Sequence, residues 1–251
     1  MKPIFLLSVG LVISFFNLDC SGNLLVIGHR GASGYEPENT IPSFEKAIQL
    51  GVDIVECDVR CCASGEVVVF HDNKLDRLTN GTGYIEQKTL HQLKQLVVAK
   101  GQQILTLQEV LDCINRRVVV NIELKDAGTI VLVAKIIEEY VQEKGWSYND
   151  FIVTSFNHYY VRDFKQWCPS VRVGVILAGI PIHFGAFGEC IGADIIVLFV
   201  DSINQAFVDD IHARGMQVFV FTVNDFDEIK RMQDLDVDGI ISNYPDRVKT
   251  N

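Results

Sequence analysis

The chain has 251 residues, of which 48% are hydrophobic and 22% are charged, a composition typical of a folded globular protein. This length suits a single α/β barrel, and neither a linker nor an internal repeat divides the sequence. The net charge of −10, without a lysine or arginine cluster, excludes a general nucleic-acid-binding surface, so an anionic substrate would need a cation at its binding site.

The first 22 residues differ in composition from the rest of the chain. Lys2 precedes an apolar run from Ile4 to Leu18, and small residues follow it. This run is short for a membrane span and is typical of a secretory signal. We predict a signal peptide over residues 1–22, one domain over residues 23–251, and a secreted or periplasmic location. The alternative is a cytoplasmic protein in which the segment forms a helix that covers the floor of the barrel.

Nine runs rich in β-branched residues alternate with helical patterns, which predicts repeated βα units and a parallel sheet. The predicted strands are Leu24–Gly28, Val52–Arg60, Val67–His71, Val118–Lys125, Phe151–Phe156, Val171–Leu177, Asp194–Phe199, Gln217–Val223 and Gly239–Ser242. The predicted helices include Pro42–Leu50, Thr129–Glu143 and Ala206–Arg214. A closed eight-stranded barrel needs one strand fewer than this pattern provides.

The second and third predicted strands are separated only by residues 61–66. A parallel crossover needs about a dozen residues, so these two strands must form an antiparallel hairpin. The other eight strands then close a single (β/α)8 TIM barrel, in which the hairpin extends strand 2. A short insertion at Tyr84–Thr106 is too small for a large lid.

The hairpin predicts which side chains lie close together. A two-residue turn at Ser64-Gly65 places Asp58 opposite His71, and Glu56 shares a strand face with Asp58. A bulge at Gly65 would shift this register by one residue.

Ionisable residues occur where the predicted barrel strands end, which is where barrel enzymes build their active sites. Glu56 and Asp58 share one strand face, and Glu123 shares another with Lys125. Three carboxylates converging from two strands predict an oxygen-ligand site for a hard cation such as Ca²⁺ or Mg²⁺. The full constellation is His29, Arg30, Glu56, Asp58, His71, Glu123 and Lys125.

Several motifs resemble those of the glycerophosphodiester phosphodiesterase family, whose fold is a phospholipase-C-like phosphodiesterase barrel. The resemblance extends from Leu24 to Val248. Its early motifs are His29-Arg30-Gly31-Ala32, Pro37-Glu38-Asn39-Thr40, Glu56-x-Asp58, Val67-Val68-Val69-Phe70-His71-Asp72 and Leu75-x-Arg77-x-Thr79. Its later motifs are Asn121-Ile122-Glu123-Leu124-Lys125, Thr222-Val223-Asn224 and Asp238 to Pro245, in which Ser242-Asn243 replaces a common Thr-Asp.

The resemblance implies roles for individual residues. Glu56, Asp58 and Glu123 match the ligands of one divalent cation, Ca²⁺ or Mg²⁺. His29 and His71 match the acid/base pair, a task that suits imidazole near neutral pH. The predicted substrate-binding residues are Arg30 and Lys125 at the phosphate and Phe221, which stands where the family usually has Trp, whereas Asn39 is predicted to support the site from behind.

The implied reaction is metal-dependent hydrolysis of a small-molecule glycerophosphodiester to glycerol 3-phosphate and an alcohol. One alternative is a lysophospholipase D that acts on lysolipids in transient contact with a lipid surface. Another is a catalytically inactive binding barrel. A sugar-processing barrel would use Glu56 and Glu123 but leaves His29 and His71 without a role. The sequence leaves open the alcohol, the oligomeric state, and which histidine is the acid.

Overall fold

A computed structural model describes residues 23–249, so the predicted signal peptide lies outside the described residues. Eight parallel strands form a closed ring with helices between them, which confirms the predicted TIM barrel. The first strand closes the ring by pairing with both the second and the last. In chain order the ring strands are β1 (Leu25–Gly28), β2 (Ile54–Cys61), β5 (Val119–Leu124), β6 (Phe151–Ser155), β7 (Arg172–Leu177), β8 (Ile195–Phe199), β9 (Gln217–Phe221) and β10 (Gly239–Ser242).

Helices follow most ring strands and cover the outside of the barrel. Their bounds are α1 (Ile41–Gln49), α2 (Leu90–Leu93), α3 (Leu107–Ile114), α4 (Thr129–Glu143), α5 (His158–Trp167), α6 (Ala186–Glu189), α7 (Gln205–Ala213), α8 (Phe226–Asp234) and α9 (Asp246–Lys249). Short 3₁₀ turns occur at Ile85–Gln87, Ala99–Gly101 and Tyr148–Asp150. Between residues 23 and 249, no helix combines the length and the hydropathy of a membrane span.

The barrel interior changes from apolar to charged along the strands. Its lower part is filled by a cluster of branched and aromatic side chains that includes Ile54, Ile152 and Phe219. Because side chains alternate along a strand, Glu56 faces the same way as Ile54 and lies one step nearer the carboxyl end. The packed interior therefore ends where the charged residues begin.

The hairpin between β2 and β3 (Val67–Val69) exists, but the predicted pairing of Asp58 with His71 is wrong by one residue. The amide of Phe70 donates to the carbonyl of Asp58, so Phe70 lies opposite Asp58. The turn has three residues rather than two, with Gly65 at φ +93°. A three-residue hairpin ending in a left-handed glycine shifts the register in this way.

A tenth strand, β4 (Leu105–Thr106), pairs with β3 outside the ring. The predicted insertion, which ends with this strand, packs on the outer face of the hairpin through a separate small apolar cluster, whose members include Val68, Leu75 and Leu93. The hairpin is thereby fixed from outside, which holds the residues that follow β3 in place.

Gly31→Ala is expected to destabilise the fold by about 2–3 kcal/mol. Gly31 has φ +83°, and an added Cβ would lie 2.5 Å from the carbonyl carbon of Ser43 and 2.7 Å from its oxygen. Neither backbone atom can move without displacing α1. Gly65→Ala is the matched control, because its φ is also positive but no atom lies within 4 Å of the added Cβ. Equal losses in denaturant unfolding would show that backbone conformation, not the clash, sets the cost.

Candidate active site

The first site residue, His29, lies where the chain leaves β1. Its Nδ1 is 2.6 Å from the Oδ1 of Asn243, an oxygen that also accepts a hydrogen bond from the Ser33 hydroxyl. A carbonyl oxygen only accepts, so the Nδ1 of His29 carries the proton and Nε2 is free. Desolvation, and then the Arg30 charge, lower the pKa of His29 to about 4, so the ring is neutral near pH 7.

Arg30 and Asn39 bring the loop after β1 onto the carboxylates. Both have left-handed backbones, with φ of 53° and 59°, a conformation that Asn tolerates and Arg rarely adopts. The backbone amide of Arg30 donates to Glu56 at 2.8 Å. The side-chain Nε of Arg30 lies 3.2 Å from the Oδ2 of Asp58. The Asn39 amide group donates to the same Oδ2 at 2.9 Å. Contacts with the acidic residues thus stabilise both left-handed backbone conformations.

Glu56, Asp58 and Glu123 form a carboxylate cluster at the carboxyl ends of β2 and β5, where Asp58 lies beside Glu123 in the parallel register. One oxygen from each residue lies within 4.8 Å of the other two. Glu56 and Asp58 are buried, with exposures of 4% and 1%. The Oε1 of Glu56 and the Oδ1 of Asp58 accept no hydrogen bond from the described residues.

Three acidic groups this close oppose one another's ionisation. Burial, and then the charges of Asp58 and Glu123, raise the pKa of Glu56 well above its usual range. Burial and then Asp58 raise the pKa of Glu123 to about 7. Burial alone would also raise the pKa of Asp58, but Arg30 and Lys125 outweigh it and hold that pKa below its usual value.

A divalent cation fits this set of donors. Hard cations such as Ca²⁺ and Mg²⁺ take carboxylate oxygens, and two buried oxygens here accept no hydrogen bond from the described residues. Positive charge at the cluster would also offset the repulsion that raises the pKa of Glu56. The described cluster contains neither thiolate nor imidazole, the ligands that zinc prefers.

His71 belongs to a network of charged groups at the outer edge of the site. Its Nδ1 lies 2.6 Å from the Oδ1 of Asp72. Asp72 accepts two hydrogen bonds from the Arg77 guanidinium, which also donates two to Glu38. Glu38 accepts a further bond from Arg30 at 2.7 Å. The network therefore ties the position of His71 to that of Arg30.

Lys125 and two aromatic rings border the mouth of the barrel. The Lys125 ammonium lies 2.6 Å from Glu123 and 3.4 Å from Asp58. It also lies 5.7 Å from the ring centre of Phe156, which packs edge to face with Phe221. One side of the mouth is therefore charged and the other is apolar.

All the predicted site residues lie at the carboxyl end of the barrel, but the two histidines line different cavities. His29 lines the mouth, whereas His71 lines a groove outside it. The sequence did not predict the hydrogen bond between Asn243 and His29 or the network of charged groups that holds His71. The residues that form these contacts lie in the motifs quoted above, so their presence in those motifs was the available signal.

A family model, a curated relative and a solved structure all relate this chain to phosphodiesterases. Residues 29–247 match the Glycerophosphoryl diester phosphodiesterase family. A glycerophosphodiester phosphodiesterase of Caldanaerobacter subterraneus is 35% identical over 88% of this chain and 95% of its own length. A phosphodiesterase of Oleispira antarctica, solved in complex with the product sn-glycerol-3-phosphate, aligns with a TM-score of 0.83 and 30% identity over 90% of this chain and 95% of that one.

The fold and the site define a barrel enzyme with an acidic centre at the carboxyl ends of its strands. The chain belongs to the glycerophosphodiester phosphodiesterase family, as the match over most of its length shows. The predicted class, a phosphoric diester hydrolase, is confirmed.

Proposed function

We propose that the chain hydrolyses a glycerophosphodiester to glycerol 3-phosphate and an alcohol. Glu56, Asp58 and Glu123 would hold one divalent cation, and His29 and His71 would transfer protons. The observation that carries the proposal is the carboxylate cluster. One oxygen from each residue lies within 4.8 Å of the other two, and two buried oxygens of the cluster accept no hydrogen bond from the described part of the chain. When bound, the cation would polarise the phosphoryl oxygens and lower the pKa of the nucleophile.

Cationic side chains of this chain would orient the phosphate. Arg30 and Lys125 lie beside the cluster and are positioned to contact an anion bound there. Both are partly engaged with carboxylates, so they are held in place before substrate arrives. Charge-assisted hydrogen bonds from such preorganised donors stabilise the charge that develops on phosphoryl oxygens.

The two histidines have different partners, which supports different roles. The Nδ1 of His29 is held by a neutral amide, and its free Nε2 would accept the proton of the nucleophile. The Nδ1 of His71 is held by the Asp72 carboxylate, which stabilises an imidazolium able to protonate the leaving alkoxide. Burial, with the Arg30 charge, lowers the pKa of His71 below its usual value, although the negative charge of Asp58 and the bond to Asp72 oppose that effect.

The decisive test is release of glycerol 3-phosphate from glycerophosphocholine. Enzyme treated with a chelator is expected to be inactive, and added Ca²⁺ or Mg²⁺ is expected to restore release, because the cluster is the proposed cation site. The measurement is product formation by an enzyme-coupled assay at fixed ionic strength. Full activity of metal-free enzyme would contradict the proposed metal dependence. No release of glycerol 3-phosphate with any divalent ion would contradict the proposed substrate.

A lysolipid is a second candidate, favoured by an apolar loop beside the site. Ile180 and Ile182 are 51% and 93% exposed on the loop that leaves the carboxyl end of β7. The active site lies at the same end of the barrel. Exposed apolar side chains at a rim are typical of contact with lipid surfaces.

Ile182→Asp is expected to lower hydrolysis of micellar lysophosphatidylcholine by about tenfold, since one buried isoleucine side chain contributes about 1.5–3 kcal/mol to a lipid contact. Trp167→Asp is the control, because Trp167 is 61% exposed at the last position of α5, towards the other end of the barrel. The rate of alcohol release from lysophosphatidylcholine micelles is measured for both variants. Equal rates for Ile182→Asp and the unmodified chain would eliminate this loop as a lipid contact.

A further inference from the structure

A groove of about 480 Å³ opens outside the barrel mouth, on the side of His71. It is distinct from the mouth itself, which His29 and the aromatic rings line. Cationic residues dominate its walls although the whole chain carries a net charge of −10. The lining residues are Arg60, His71, Asp72, Asn73, Lys74, Asp76, Arg77 and Lys125.

Arg60 continues the alternation of β2 beyond Glu56 and Asp58, so it faces the same side of the strand. Its Nε donates to the carbonyl of His71 at 3.0 Å, which fixes the guanidinium beside that histidine. Among residues 23–249, no carboxylate pairs with Arg60 within 4.0 Å, in contrast to Arg30, which pairs with Glu38 and Asp58. The remaining guanidinium donors of Arg60 are therefore available to a ligand.

A second cation widens this positive surface. Lys74 is exposed, lies 5.1 Å from the centre of the Tyr84 ring, and forms no ion pair among the described residues. Of the two acidic residues of the groove, Asp72 is paired with Arg77, whereas Asp76 accepts the amide of Gly83. Nearby carboxylates such as Asp58 and Asp126 act on the charge of Arg60 only from beyond ion-pair distance. Arg60 and Lys74 therefore have no carboxylate in direct contact within the described fold.

We propose that this groove binds an anionic group on the alcohol moiety of the substrate and that Arg60 is its specificity-determining residue. This inference rests on the proposed function, in which His71 protonates the leaving oxygen. The leaving alcohol then lies beside His71, where the groove begins. The favoured substrates are glycerophosphodiesters whose alcohol carries a carboxylate or another anion, since guanidinium groups bind such anions through directed hydrogen bonds.

Glycerophosphoserine and glycerophosphoethanolamine form a matched pair, because they differ by one carboxylate. The unmodified enzyme is expected to show a kcat/KM about tenfold higher for the serine compound, the size expected of one hydrogen bond between charged groups. Arg60→Gln is expected to reduce that ratio to about one, and Arg60→Lys to keep part of it. Lys135→Gln removes an exposed positive charge on α4, away from the groove, and should leave the ratio unchanged.

Each result bears on the groove separately from the reaction. A ratio near one for the unmodified enzyme overturns the inference whether or not Arg60→Gln folds, and hydrolysis of both compounds would still support the proposed function. If neither compound is hydrolysed, the proposed function fails. The same pair is then compared by calorimetric titration of the unmodified protein. Equal binding of the two overturns the groove as an anion site, and tighter binding of the serine compound that is lost in Arg60→Gln supports it.

Discussion

His71→Ala is expected to lower kcat by about 100- to 10,000-fold, the usual contribution of a positioned acid or base. His29→Ala is expected to have an effect of the same size, because each ring has a fixed Nδ1 partner and a free Nε2. Neither histidine belongs to the carboxylate cluster, so both variants should still bind a divalent cation. Steady-state kinetics and calorimetric titration with Ca²⁺ or Mg²⁺ would measure the two properties independently.

The matched control is His91→Ala, since His91 is exposed on α2 and has only a long contact of 3.5 Å with Gln95. It should turn over substrate like the unmodified enzyme. Turnover by His71→Ala at the unmodified rate would refute its role as the acid. Loss of metal binding in either alanine variant would instead show that the ring supports the cluster.

Glu56→Gln is expected to weaken cation binding by more than about 100-fold and to abolish turnover. Loss of a residue that hydrogen-bonds to a metal ligand already costs about 10- to 100-fold, and loss of the ligand itself should cost at least as much. The same change should stabilise the metal-free fold. It removes an acidic group whose pKa is raised by burial and then by the charges of Asp58 and Glu123, so the folded state no longer bears the cost of that group. Metal affinity and metal-free stability are therefore expected to move in opposite directions.

Titration calorimetry and thermal unfolding in chelator test the two effects. Glu143→Gln is the control, because Glu143 is exposed at the end of α4 and should change neither quantity. An unchanged cation affinity in Glu56→Gln would refute its role as a ligand. A lower metal-free stability would show that the Arg30 amide, which donates to Glu56, matters more than the repulsion.

The barrel could be predicted because its strands are continuous apolar runs separated by helices, a pattern that buried parallel strands impose. β4 escaped prediction because two residues, Leu105 and Thr106, are too short to show any periodicity. The register of the hairpin depended on whether Gly65 lies inside the turn or ends it, which local sequence does not decide. The signal peptide stays a prediction.

The cluster was predictable for a related reason. Glu56 and Asp58 alternate on one strand, and Glu123 lies on its neighbour, so the two-residue period alone brings them together. The partners of the histidines lie in loops, where side chains do not alternate with a regular period. Asn243 reaches His29 from the far end of the chain, and only the closed ring makes them neighbours. Arg60 continues the same alternation, but the sequence did not predict its place in the groove beside His71.

The pairing of β1 with β10 closes the ring only after almost all of the described chain has been synthesised. His29 and Asn243 are 214 positions apart, so the histidine emerges from the ribosome long before its partner exists. Until β10 docks, one edge of β1 is unpaired and able to join the strand of another molecule. A nascent or truncated chain ending before residue 239 would therefore leave His29 without its Asn243 partner and expose an edge that favours aggregation.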